Sequence, residues 1–360
     1  MLQHALFFAL GLITLVIGAD ALVRGASRLA VSFGISPLVV GLTVVAFGTS
    51  APEMAVSVGS TINGNVDIAI GNVVGSNIAN ILLILGACAL IAPLLVAEQI
   101  IRQEIPIMIG ASALLLVMAL DGDIGRLEAA ILFGLVIAYT VFLIQQSRKA
   151  SKATADEFAN EIPTSNWDRH WSVQTLLVVV GLGMLVLGAD WLVQSAVAIA
   201  RIYGVSDLVI GLTVVAVGTS MPELVTSIVA AFRGQRDIAV GNVVGSNMFN
   251  ICAVLGVTGL ISPIGLPVSE AARHFDLWVM LAVAFACLPI MITGREIARW
   301  EGGVFLGYYA AYTAWLILAS QQHASLATFS TAMISYVLPL TLITLVVSMV
   351  RHNGKSASNQ

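Results

Sequence analysis

Residues 41–53, GLTVVAFGTSAPE, return as residues 211–223, GLTVVAVGTSMPE, an offset of 211 − 41 = 170. Aligned without gaps, 41–86 and 211–256 are identical at 27 of 46 positions. Both copies lie in long apolar runs, and each puts one glutamate, Glu53 or Glu223, where a membrane span should carry none. An ionisable side chain at that depth is costly and is read as functional by default. Two of them, in matching places of two repeats, predict one shared site for a cation.

The match extends to both sides. Gly18-Ala19-Asp20 returns as Gly188-Ala189-Asp190, also at 170, and Ala138-Tyr139-Thr140 as Ala311-Tyr312-Thr313 at 173. At about 20 apolar residues per span, eleven spans are expected, at 6–31, 38–62, 68–95, 105–120, 127–144, 173–202, 208–232, 238–261, 277–292, 301–318 and 326–350. Each repeat then holds five, and an odd number sends the second repeat into the membrane the other way up. That inverted topology is the pattern of secondary transporters, with the substrate site at the repeat interface near the midplane. The expected fold is an all-α polytopic membrane protein of two inverted five-helix repeats plus one extra C-terminal transmembrane helix. Its parts are a first repeat at 1–146, a cytoplasmic connecting loop at 147–172, a second repeat at 173–322, and an extra helix with a cytoplasmic tail at 323–360. The eleventh span has no partner in the first repeat and is read as a peripheral helix without chemistry.

Composition and charge agree. The chain is 58% hydrophobic and 10% charged, against about 25% charged in soluble domains. Sorting Lys and Arg by the faces that eleven alternating spans assign puts 13 on one side and 3 on the other. By the positive-inside rule the first face is cytoplasmic, so the N-terminus is expected outside and the C-terminus inside a cytoplasmic (inner) membrane. The first apolar run lacks a basic leader and a small-residue cleavage site, and reads as a retained span. Cys88, Cys252 and Cys287 all lie inside apolar runs and read as small core residues. The five histidines are terminal or in loops and form no ligand cluster. No cofactor, nucleic acid or obligatory protein partner is expected; the expected partners are the lipid bilayer and transported ions.

In Thr49-Ser50-Ala51-Pro52-Glu53, Pro52 has no N–H with which to cap the carbonyl four residues back, and Gly48 eases unwinding of the preceding turn. Carbonyls near Ala46 to Thr49 are therefore expected to line a cavity, the setting in which a broken span is tolerated at membrane depth. Thr49 and Ser50 precede Glu53 by four and three residues, so hydroxyl and carboxylate share a helical face. Gly218, Thr219, Ser220, Pro222 and Glu223 repeat the arrangement, with Ala216 in the place of Ala46. Oxygen donors without soft ligands suit a hard cation such as Ca²⁺ or Na⁺.

The next span of each repeat carries GNVVGSNIAN (71–80) or GNVVGSNMFN (241–250). Asn72, Ser76 and Asn80, like Asn242, Ser246 and Asn250, are spaced by four and form a polar stripe. Gly71/Gly75 and Gly241/Gly245 are small-xxx-small pairs that let helices approach closely. Ser76 and Asn80 are read as site residues, whereas Asn72 and Asn77 suit helix packing equally well. Asp20, with Arg24 four residues on, and Asp190, with Gln194, are read as structural or gating. Glu98, Glu104, Glu270, Asp121 and Glu301 fall at span ends, where solvated loop chemistry is expected.

GTSxPE followed by GNVVGSNxxN, in both halves, resembles the α-repeats of the calcium/cation antiporter superfamily, most nearly its bacterial sodium/calcium exchanger branch. The resemblance covers both five-span repeats and implies a ten-helix core exchanging Ca²⁺ against Na⁺ or H⁺, in the service of calcium homeostasis. It makes Glu53 and Glu223 the central Ca²⁺ ligands, with backbone carbonyls of Thr49 and Thr219. It gives flanking Na⁺ sites to Ser50, Ser76, Asn80, Ser220, Ser246 and Asn250 with carbonyls of Ala46 and Ala216. Some exchangers of the family carry aspartate where this chain has Asn250, so only two deep carboxylates remain here. A cation/proton antiporter moving K⁺ or Mn²⁺ is the alternative within this class. A passive channel fits inverted repeats and broken spans less well, and an intramembrane metalloenzyme lacks the His, Cys and nucleophile it would need.

Overall fold

The computed structural model describes residues 1–149, 170–203 and 216–357. Most of the connecting loop and the start of the seventh span, 208–215, lie outside them. Ten of the eleven expected spans are long apolar helices, at Leu2–Phe33, Pro37–Ile62, Ile68–Ile91, Ile100–Asp121, Arg126–Ser147, Trp171–Ile202, Arg236–Ile261, Ala272–Ile292, Arg299–Ser320 and Leu326–Val347. The described part of span 7 comprises the helices Ala216–Thr219 and Met221–Phe232. Spans are numbered 1 to 11 in chain order. The chain is a multi-pass membrane protein.

Spans 1 and 6, at 32 residues each, exceed the about 20 that cross a bilayer, an excess that tilting can accommodate. They lie along one another through glycines. A Cβ on Gly11 would fall 2.8 Å from the Gly188 carbonyl oxygen, and one on Gly18 2.9 Å from that of Gly181. Without a hydrophobic effect between helices in lipid, such backbone contact is what holds them together. Span 1 ends at Gly34, whose φ of 61° makes the left-handed cap that glycine adopts without strain. Ser36 then caps the next helix, accepting from the Val39 N–H at 3.3 Å, with Pro37 in the first turn.

The repeats interlock. Span 5 of the first packs against span 8 of the second, and span 10 against span 3. A Cβ on Gly256 would meet the Phe133 nitrogen at 2.8 Å, and one on Gly302 the Gly86 carbonyl at 2.7 Å. Spans 3 and 8 thus occupy the centre and are 72% and 83% buried. No residue of span 11 from 326 to 347 is buried, as expected of a peripheral helix; its Thr341 and Ser330 bond to Tyr308 and Trp315 of span 10.

Two short antiparallel pairings escape the sequence pattern. Leu94–Leu95, after span 3, pairs with Glu296–Ile297, after span 9. Asp123–Ile124, after span 4, pairs with Leu266–Pro267, after span 8. Each joins loops that inverted topology puts on the same side. Arg295 reaches Glu98 at 3.3 Å on one side, and Arg126 donates to the Ser262 carbonyl at 3.0 Å on the other.

Two span-end acids are not solvated as expected. Glu104 is fully buried and accepts from Tyr139 at 2.7 Å, Gln99 at 2.9 Å and Gln103 at 2.7 Å. Span 5 folds over it, and three donors replace water. Glu301 is buried as well, because its carboxylate caps span 10 by accepting from the Ala298 N–H at 2.8 Å. Glu98 does remain exposed, paired with Arg102 at 2.7 Å.

Candidate cation site

Span 2 is broken where the proline argument expects it. Helix runs through Ala46–Thr49, stops at Ser50 (φ −78°, ψ 5°) and restarts as Ala51–Ile62 with Pro52 in its first turn. Span 7 does the same at Ser220 (φ −86°, ψ 8°), restarting as Met221–Phe232 with Pro222. Each glutamate sits in the first turn of a new helix, whose N-terminal amides favour negative charge. Gly48 also has a packing role that the sequence reading missed: a Cβ there would collide with Leu182 of span 6.

Glu53 and Glu223 are both fully buried, and the second carboxylate oxygen of each, Oε2, has no partner among the described residues. The first oxygens are held crosswise. Ser220 Oγ donates to Glu53 Oε1 at 3.3 Å, and Ser50 Oγ to Glu223 Oε1 at 3.2 Å. Ser76 lies close to Glu53, and Thr49 and Ser246 lie close to Glu223. The two carboxylates thus share one buried cluster of hydroxyls. Like charges so placed cannot both stay ionised comfortably without a counter-charge.

The expected polar stripe faces these acids. Asn72 donates to the Glu53 carbonyl at 3.2 Å and to Ser57 at 3.0 Å; Asn242 does the same to the Glu223 carbonyl at 3.4 Å and Ser227 at 3.0 Å. Both asparagines therefore fasten the backbone that carries a glutamate. Thr49 Oγ1 donates to Asn242 Oδ1 at 3.1 Å and lies 3.4 Å from Ser246 Oγ. The Ala46 carbonyl accepts from the Ser50 N–H at 3.0 Å and lies 3.3 Å from the Thr49 hydroxyl, so a cation would have to displace these donors. Thr219 closes the short helix Ala216–Thr219 just before the break; the side chain of Ala216 lies outside the described part.

Asn80 and Asn250 are fully buried, and each opens a π-helical turn, Asn80–Leu85 and Asn250–Val254. Such turns recur at functional sites. Their Oδ1 atoms, like the two glutamate Oε2 atoms, have no partner among the described residues. Four buried acceptors without donors, two from each repeat, form a donor set suited to a hard cation. Asp20 pairs with Arg233 at the end of span 7, which links span 1 to the other repeat, and Asp190 accepts from Gln194 at 2.7 Å.

Inverted repeats, two broken spans and buried oxygens at their crossing are the architecture of a secondary transporter. The model of the sodium/calcium exchanger protein family matches residues 3–145 and 173–318, both repeats. A putative antiporter, CaxA, from Alkalimonas amylolytica is 39% identical over 319 residues, 87% of this chain and 98% of that protein. The sodium/calcium exchanger MaX1 of Methanosarcina acetivorans is 38% identical over 339 residues, 85% of this chain and 96% of its own. A solved structure of the sodium–calcium exchanger NCX_Mj superposes with a TM-score of 0.74 at 32% identity, covering 87% of this chain and 98% of its own. This chain belongs to the sodium/calcium exchanger family, and it is a cation antiporter.

Proposed function

We propose that this antiporter exchanges Ca²⁺ for Na⁺ or H⁺ by alternating access, and so contributes to calcium homeostasis. The observation that carries the reading is the pair of fully buried glutamates, Glu53 and Glu223, one from each repeat, each with an oxygen left unpartnered. Ca²⁺ neutralises the pair. Two monovalent cations or protons do so equally. The bare, doubly negative site crosses between its two facings reluctantly, because both charges would travel uncompensated through a medium of low dielectric. Loaded forms cross, and the fluxes become coupled.

In this reading Glu53 and Glu223 ligate Ca²⁺ with the carbonyls of Thr49 and Thr219. Ser50, Ser76, Asn80, Ser220, Ser246 and Asn250, with the carbonyls of Ala46 and Ala216, serve the flanking monovalent sites. The halves act as units 1–146 and 173–322, joined by the loop 147–172, with 323–360 outside the transport core. The charge asymmetry, 13 basic residues against 3, supports an inner-membrane protein with its N-terminus outside and C-terminus in the cytoplasm.

The test is ⁴⁵Ca²⁺ uptake into vesicles holding the purified protein, under an imposed Na⁺ gradient and then a pH gradient. Uptake driven by either supports exchange and names the coupling ion. Ca²⁺ that neither moves nor competes with a transported K⁺ or Mn²⁺ would overturn the reading in favour of another substrate.

A further inference from the structure

The two asparagines that open the π-turns, Asn80 and Asn250, are each gripped by an asparagine of the opposite repeat. Asn250 Nδ2 donates to Asn77 Oδ1 at 3.1 Å, and Asn80 Nδ2 donates to Asn247 Oδ1 at 2.9 Å. All four are buried, and Asn77 and Asn247 are only 1% and 2% exposed. The gripping amides are themselves held from outside. Asn77 Nδ2 faces Met280 Sδ at 3.7 Å and the Asn247 carbonyl at 3.4 Å. Asn247 Nδ2 faces Met108 Sδ at 3.4 Å. The methionines are repeat mates, one in span 4 and one in span 9, at 280 − 108 = 172.

This chain of contacts has a direction. A side-chain amide donates at one end and accepts at the other, and a thioether sulfur only accepts. Met280 and the Asn247 carbonyl therefore demand the amine end of Asn77. That leaves the Asn77 oxygen to face Asn250, which must answer with its own amine. The Asn250 oxygen is then the end left over, and among the described residues it has no partner, as the Asn80 oxygen has none. Reversing any member sets donor against donor and acceptor against acceptor in a buried setting, at the cost of unmet hydrogen bonds.

We propose that Asn77 and Asn247 are positioning residues: through crossed amide bonds they turn the oxygens of Asn250 and Asn80 toward the cation site, raising its affinity for monovalent cations without adding charge. This rests on the cation-exchange reading above. A cation binds an amide oxygen and is repelled by an amide NH₂, so orientation decides whether these residues attract or repel it. Simple helix packing through the same asparagines would affect stability without regard to which pairs are joined.

The test uses the full chain in liposomes. The half-saturating concentration of whichever ion, Na⁺ or H⁺, drives ⁴⁵Ca²⁺ uptake in the wild type is compared among N77L, N250A, N77L/N250A and N77L/N80A. N77L should raise it about tenfold, the scale of one buried amide left unmatched. N77L/N250A should be no worse than N250A, because Asn77 acts through Asn250, whereas the effects of N77L and N80A should multiply. N77S, too short to reach Asn250, carries the same comparison if N77L does not fold. Wild-type half-saturation in a folded N77L or N77S protein overturns the inference, as does the same additivity for both double variants. A wild-type protein that exchanges no Ca²⁺ overturns the exchange reading and this inference with it. An active wild type with uncoupled asparagines overturns the inference alone.

Discussion

Ser50, in the break of span 2, donates to Glu223, in the first turn after the break of span 7, at 3.2 Å. Ser220 returns the bond to Glu53 at 3.3 Å. The two halves thus hold each other's carboxylate, and neither half alone supplies both partners of either bond. Each hydroxyl is a charge-assisted donor to a buried oxygen, a bond of about 1.5–3 kcal/mol.

Removing one carboxylate should therefore disable the site whichever repeat loses it. E53Q and E223Q each leave one buried charge facing the ion, where truncating a buried charged partner costs about 2–5 kcal/mol. Initial ⁴⁵Ca²⁺ uptake at low Ca²⁺ should fall by at least about thirtyfold in both. Wild-type-like flux in either variant would remove that glutamate from the site.

The serines should behave as a matched pair. S50A and S220A each delete one cross-repeat bond of nearly equal length. Each should raise the half-saturating Ca²⁺ concentration by about tenfold, the lower end of the energy of such a bond. An effect confined to one serine would show that the crosswise bonds do not contribute equally.

The parts of this arrangement that local pattern encodes were legible in the sequence. The proline that lacks an N–H places each break, and spacing by four places Ser76 with Asn80 and Ser246 with Asn250. The doubled motif and its odd number of spans yield the inversion, and spans 2 and 7 do break at Ser50 and Ser220. What stayed hidden depends on contacts between segments far apart in the chain. Asn77 looked as suited to packing as to function because its partners, Asn250 and Met280, lie 173 and 203 residues away. Glu104 read as a solvated span-end acid until span 5 brought Tyr139 onto it. Repetition carried a signal in that last case: Asp276 and Tyr312, at 276 − 104 = 172 and 312 − 139 = 173, are also bonded, at 2.9 Å.

Proton competition should show a definite sign. On the proposed exchange, protons and Ca²⁺ compete for the same oxygens of Glu53 and Glu223, and a protonated carboxyl is no longer an anionic ligand. Acidifying the side that offers Ca²⁺ should raise the half-saturating Ca²⁺ concentration, and saturating Ca²⁺ should restore the rate. A loss of maximal rate at unchanged half-saturation would place the titrating group away from the cation site.

Packing at the repeat interface offers a test that needs no transport. A Cβ on Gly245 of span 8 would lie 2.6 Å from the Leu42 carbonyl oxygen and 2.7 Å from the Ala46 Cβ, both in span 2. The blocking atoms are backbone or bound directly to it, so relief requires span 2 to shift, and span 2 carries Thr49, Ser50 and Glu53. G245A should lower the stability of the detergent-solubilised protein by about 1–3 kcal/mol, the usual cost of overpacking a well-filled core. Its Ca²⁺ half-saturation should rise as the Ser50–Glu223 bond is pulled out of line. Gly134, exposed on span 5, has nothing within 4 Å of its would-be Cβ, so G134A should be neutral or slightly stabilising in its helix. Thermal unfolding of the two variants side by side separates the cases, and a G245A protein as stable as G134A would mean that spans 2 and 8 do not approach as closely as described.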